Sequence, residues 1–178
     1  MNHFEFYEIP VSFYPDMGDL KQRYLKYSKL FHPDFHTLES EEKQDQILEK
    51  STQNNQAYQV LSDFDLRLKY VLELHGMLDE GKNELPQEFL LEMMDINEAI
   101  MELEFDFEES VFERTLQNVE ALENAMMAEV RPILEAYSEG NMTNKELEPV
   151  KDFFLKRRYL WRIKENLNKF APASKEAR

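Results

Sequence analysis

The chain contains no cysteine. That single absence excludes disulfides, thiolate zinc sites, cysteine nucleophiles and thiolate-held iron–sulfur clusters. Glycine and proline are scarce, 4 and 7 of 178 residues, and among abundant Glu, Leu, Lys, Met and Gln that poverty favours helix over sheet. No apolar run approaches the roughly 18 residues of a membrane span. The opening MNHFEFYEIP has neither a basic n-region nor an apolar h-region, so no secretory signal is expected. Positive charge is also short: 21 Lys and Arg against 36 Asp and Glu leave a net −15. This balance argues against nucleic acid, whose phosphates demand clustered cations, and against an anionic membrane surface. The rest, 42% hydrophobic and 32% charged, is a soluble globular composition long enough for one or two cores. A bacterial-type cytoplasm is the expected compartment.

Against this acidic background one segment stands out. Leu20, Tyr24, Tyr27 and Phe31 recur at helical spacing, and the same stretch carries Lys21, Arg23, Lys26 and Lys29 with no acid. Pro33 ends that helix, because a residue before proline is pushed out of helical geometry. A second helix should open at Ser40, with Glu41 and Glu42 at its positive end, and run through Ile47, Leu48, Ala57, Val60 and Leu61. SDFD caps a short third helix with Leu66, Tyr70 and Leu74 on one face. HGMLDEGKNELP, residues 75–86, holds two glycines and a proline and reads as the domain boundary. Beyond it, helices are expected from Pro86 to about 105, from Glu109 to Glu139 and on to about Phe170. Pro86 would sit in a first helical turn. Gly140 is the expected stop, and Thr143 with Glu146 a capping box. Three long helices with short turns suggest an antiparallel bundle.

His32 and His36 flank Pro33 and Asp34. Two histidines four apart hold a metal when one unbroken helix carries both; here the proline intervenes and no third ligand completes a set. A His–Asp pair in catalysis needs a nucleophile and an oxyanion donor, yet the chain has no G-x-S-x-G and no phosphate-cradling glycine loop. A bland inter-helix loop, with His32 capping a helix end, also fits the spacing.

One reading uses these features together. His32-Pro33-Asp34, the basic helix LKQRYLKYSKLF before it and NNQAYQVLSD after it resemble a J-domain, the module by which co-chaperones engage DnaK-class ATPase chaperones. In that pattern Asn55, Ala57, Tyr58 and Leu61 face back onto the first helix. LSDFDLRLKYVLELHG then resembles the fourth-helix signature of the HscB-type J-proteins of iron–sulfur cluster assembly, departing from it at Phe64 and Leu68 but matching at Arg67, Tyr70, Leu72, Leu74 and Gly76. PQEFLLEMMDINEAIMELE and LKRRYLWRIKENL resemble that family's first and last carboxy-terminal helices. The chain looks like the bacterial form of that family, in which the amino-terminal cysteine module of many eukaryotic relatives is not expected. The resemblance implies an all-α fold: a J-domain over 1–75, a linker over 76–85, a three-helix bundle over 86–171 and a tail over 172–178. It implies no enzyme activity of the chain's own, no cofactor and no resident metal.

The helix after Pro86 carries two stripes. At roughly 100° per residue, Phe89, Met93, Ile96, Ile100 and Leu103 form one, sufficient for a core. Leu90, Met94 and Met101, with Leu91 beside them, form a second, bordered by Asp95, Glu98 and Glu102. Such a helix either touches two neighbours in a bundle or exposes an apolar strip rimmed by acids, which is how a partner site looks; methionines suit an adaptable surface. The resemblance implies the latter: Leu90, Leu91, Met94, Asp95, Glu98, Glu102 and Tyr159 would bind an IscU-type scaffold. Tyr159 could equally be a core aromatic, given Phe153, Phe154 and Trp161 nearby. His32, Pro33 and Asp34, with Arg23, Lys26 and Lys29, would dock an HscA-type chaperone of the DnaK class and stimulate its ATP hydrolysis. The alternatives are a general J-protein that handles unfolded clients and a metal-dependent enzyme.

Overall fold

A computed structural model describes residues 1–78, 81 and 84–170. Part of the expected linker (79, 80, 82 and 83) and the expected tail lie outside the described residues. Among those described, every regular element is helical. They are α1 (His3–Phe6), α2 (Met17–Leu30), a 3-10 turn (Pro33–Phe35), α3 (Glu41–Ser62), α4 (Phe64–Leu74), α5 (Gln87–Phe105), α6 (Glu109–Ala136) and α7 (Asn144–Asn168). The described residues divide into two compact units, 1–77 with 134–144, and 78, 81 and 84–133 with 145–170.

Local chemistry sets most helix starts in the first unit. The Asn2 carboxamide oxygen accepts from Glu5 N at 2.8 Å while Glu5 Oε2 accepts from Asn2 N at 2.7 Å. This reciprocal cap holds the four-residue α1, an element the sequence reading did not anticipate. Asp16 caps α2 through Gly18 N and Asp19 N, Ser40 caps α3 through Lys43 N, and Asp63 caps α4 through Leu66 N. Gly76, at φ 64°, closes α4 in the left-handed conformation that glycine adopts without penalty.

The antiparallel pairing of α2 with α3 is read from its contacts. Tyr24 stacks on Tyr58 with centroids 4.1 Å apart, and Lys50 sits over the Phe31 ring. Between them Asn54, only 1% exposed, donates through Nδ2 to Ser28 Oγ (3.1 Å) and Tyr24 O (3.3 Å). Its Oδ1 accepts the Tyr7 hydroxyl at 2.7 Å. Every polar atom of this buried amide is thereby engaged, which burial demands. Asn54, not the expected Asn55, is thus the asparagine buried against the first helix. Ile47, Asn54, Ala57 and Leu61 share the inner face, whereas Asn55 is exposed and its side chain accepts the Tyr24 hydroxyl at 3.3 Å. Burial pushes the Tyr7 hydroxyl well above the ordinary tyrosine range, reinforced by Tyr24, Tyr58 and Tyr27.

Helix α4 turns a different face inward from the one its leucines suggest. Leu68, Val71 and Leu72 are buried, while Leu66 and Leu74 are exposed. Arg67 is buried too. Its Nε donates to Phe13 O at 2.8 Å and an Nη to Leu61 O at 2.5 Å, tying three backbone segments together. Desolvation depresses its pKa, partly offset by Asp63. Residues 134–144 complete this unit. Tyr137 is buried, edge-on to Phe13 with centroids at 4.9 Å, and its hydroxyl is hydrogen-bonded to His75 Nε2 at 2.8 Å. Asn144 Nδ2 donates to His75 O at 3.0 Å. Helix α6 stops at Ala136 rather than Glu139 because Asn141 folds back, donating to Ala136 O and accepting from Ser138 N.

In the second unit α5 buries Phe89, Met93, Ile96, Ile100 and Leu103, the core stripe expected. Its first helical residue is Gln87, with Pro86 as the cap. Helix α7 contributes Leu147, Val150, Phe153, Phe154, Leu160, Ile163 and Leu167 to the core. Glu123 of α6 accepts from both Arg157 and Lys164 of α7. Pro132 and Pro149 lie inside α6 and α7 but are exposed, so water can reach the carbonyls they leave unbonded.

Candidate functional site

Helix α2 ends at Leu30, and the chain passes through His32 into the 3-10 turn. His32 Nδ1 accepts from Asp34 N at 3.3 Å, so the imidazole caps that turn, and its Nδ1 lies 3.8 Å from Asp34 Oδ2. The two side chains are 51% and 84% exposed, leaving the imidazole edge and the carboxylate facing solvent. Pro33 fixes φ between them, and the Phe35 ring, also exposed, lies 5.5 Å from that of His32. His36 has a part the sequence did not reveal. Its Nε2–H donates to Leu30 O at 2.9 Å, tying the far end of the loop to the last turn of α2. The two histidines are thus used separately, and among the described residues no group of three His, Asp or Glu side chains could hold a metal.

The three cations expected beside this loop differ. Lys26 and Lys29 are exposed on the outer side of α2. Arg23 is engaged in the fold: Nε donates to Asp19 Oδ2 at 2.8 Å and an Nη to Tyr7 O at 2.7 Å, with Glu8 at 4.0 Å. Its guanidinium braces α2 against the segment after α1 and is not presented as the lysines are.

On α5 the second stripe is uncovered. Leu90, Leu91 and Met94 are 43%, 58% and 61% exposed, against 1% for Met93. Asp95, Glu98 and Glu102 are exposed along its far edge. Met101 and Phe105 continue the strip to the end of the helix; Phe105 is 96% exposed. Sequence reading passed over Phe105, although 94, 98, 101 and 105 keep helical spacing. Tyr159 of α7 is half-buried at the near edge. Its hydroxyl accepts from Asn97 Nδ2 at 2.9 Å, and its ring meets Phe89 edge-on at 5.7 Å. It is therefore both a packing aromatic and a border residue, since Asn97 lies between the core stripe and the strip. From Leu90 to Phe105 the strip runs about 22 Å at 1.5 Å per residue.

The family model for the HSCB C-terminal oligomerisation domain matches residues 85–168. A co-chaperone protein HscB homolog of Aliivibrio salmonicida (strain LFI1238) is 33% identical over 140 residues, covering 76% of this chain and 81% of its own length. One from Psychromonas ingrahamii is 29% identical over 170 residues, covering 94% and 95%. The crystal structure of human co-chaperone protein HscB superposes with a TM-score of 0.74 at 27% identity, over 95% of this chain and 81% of that one. The fold is thus that of a co-chaperone with an amino-terminal J-domain and a carboxy-terminal helical domain. The chain belongs to the HscB family. No helix among the described residues is long and apolar enough to cross a membrane.

Proposed function

We propose that this co-chaperone binds an IscU-type iron–sulfur scaffold through α5, delivers it to an HscA-type chaperone of the DnaK class and stimulates that chaperone's ATP hydrolysis, in the cytoplasm. One observation carries the reading: each unit leaves a distinctive surface uncovered. The first presents His32, Pro33 and Asp34 beside Lys26 and Lys29; the second presents Leu90, Leu91 and Met94 with an acidic rim.

The tripeptide performs no chemistry itself. An imidazole and a carboxylate at a proline-fixed angle, next to a cationic helix, recognise an acidic partner and bias its conformational equilibrium. The lysines contribute steering. Holding the scaffold on the second unit raises its effective concentration at a chaperone docked on the first. The test is the chaperone's ATPase rate with the chain alone, with scaffold alone and with both. Stimulation beyond the sum of the two, lost in Leu90→Ala/Met94→Ala, is expected; simple additivity rejects delivery. A general client-handling J-protein would instead bind many denatured proteins and show no preference for the scaffold.

A further inference from the structure

Helix α7, like α2, carries a concentration of positive charge in a chain of net charge −15. Between 151 and 164 lie Lys151, Lys156, Arg157, Arg158, Arg162 and Lys164, with Asp152 the sole acid. Three of these have work inside the unit. Arg157 and Lys164 converge on Glu123, and Lys156 sits over the Phe89 ring. Arg158 and Arg162 remain exposed, one helical turn apart, and among the described residues no carboxylate pairs with either. Like charges at that spacing repel, so the pair opposes helix stability. Arg158 is nevertheless held in place, its guanidinium over the Phe154 ring at 5.5 Å.

Both arginines line a shallow cleft whose apolar walls include Leu85 and Leu155. Planar guanidinium groups above an apolar floor suit a carboxylate carried on a short aliphatic stem. Tyr159, next to Arg158 in the chain, is joined through Asn97 to the near edge of the α5 strip. The second unit therefore carries exposed cations on α7, an exposed apolar strip on α5 and acids along that strip's far edge.

We propose that Arg158 and Arg162 form a second part of the scaffold-binding surface, taking a carboxylate side chain of the same scaffold that covers Leu90 and Met94. This rests on the function proposed above. The partner face it requires presents a carboxylate, then apolar side chains, then a cation, in that order. Opposite charges at the two edges fix its orientation, since a reversed pose sets like charges together.

The test uses the full chain and the IscU-type scaffold of the same organism, with calorimetric titration and stopped-flow association at low and moderate salt. R158E/R162E should melt as the parent does, associate at least tenfold more slowly and lose most of the salt dependence. The neutral pair R158Q/R162Q, measured alongside to exclude an effect of new charge on folding, should fall between. Leu90→Ala/Met94→Ala serves as the reference, losing affinity by faster dissociation. If the arginine variants keep parental affinity and salt slope while the reference loses binding, the cationic subsite is refuted and the strip stands. If the parent chain binds no scaffold, both readings fall.

Discussion

Met93 and Met94 are adjacent, chemically identical and oppositely placed, 1% and 61% exposed, so truncating each to alanine separates core from exposed strip without changing the chemistry removed. At Met93 the loss combines transfer of a buried side chain, about 1.5–3 kcal/mol, with an unfilled cavity, giving about 2–5 kcal/mol in all. For a domain of this size 1 kcal/mol shifts the midpoint by roughly 4–8 °C, so Met93→Ala should lower the melting transition of the second unit by at least about 8 °C. Met94→Ala removes little buried area and installs the best helix former, so its cost should stay within about 0.5 kcal/mol. Its effect should appear instead on the scaffold: a loss of about 1–2 kcal/mol, a five- to thirty-fold weaker complex. The measurements are a thermal melt and a urea titration, the latter to check that the slope is unchanged, followed by calorimetric titration of scaffold. Equal destabilisation by the two substitutions would mean that Met94 is packed and the strip is not free. A normal melt with parental scaffold affinity for Met94→Ala would mean that the strip is free but unused.

His32→Gln should abolish chaperone stimulation with melting unchanged, whereas His36→Ala should cost about 1 kcal/mol through the lost bond to Leu30 O and reduce stimulation only in part; equal loss in both, read by steady-state ATPase, would point to a shared site. Tyr137→Ala should cost the first unit about 3–5 kcal/mol, visible as a lower melt, because Phe13 and His75 lose their partner; a parental melt would remove residues 134–144 from that core. The folded pKa of Tyr7 is raised above its ordinary 10.0, so its contribution is full below pH 10 and lost as the pH rises further. Stability measured by urea titration should therefore fall above pH 10, less steeply in Tyr7→Phe. Docking through Lys26 and Lys29 should weaken with salt over the range where screening acts within about 8–10 Å; salt-independent stimulation would exclude steering by these lysines.

Local spacing was enough for everything that depends on neighbours in sequence. The helices, their caps at Ser40 and Asp63, the break before Pro33 and the two stripes of α5 follow from the 3.6-residue period and from backbone chemistry within a turn. His32-Pro33-Asp34 was legible for the same reason, as a contiguous run with a basic helix before it. Periodicity assigns each side chain an angle around its helix but does not say what stands at that angle. Asn54 and Asn55 are both candidates for an inward amide until Tyr7 and Ser28 arrive from elsewhere to satisfy one of them. The leucines of α4 make two plausible inner faces, and only its neighbours decide for Leu68, Val71 and Leu72. Arg23 looks like a docking cation until Asp19 and Tyr7 O engage it. Tyr137 joins the J-domain across some sixty residues of chain to His75, a contact that no local pattern encodes. The exposure of Leu90, Leu91 and Met94 is of the same kind. Sequence placed them on one stripe; whether another helix covers that stripe depends on where the long-range contacts leave space, and the tertiary structure leaves it open.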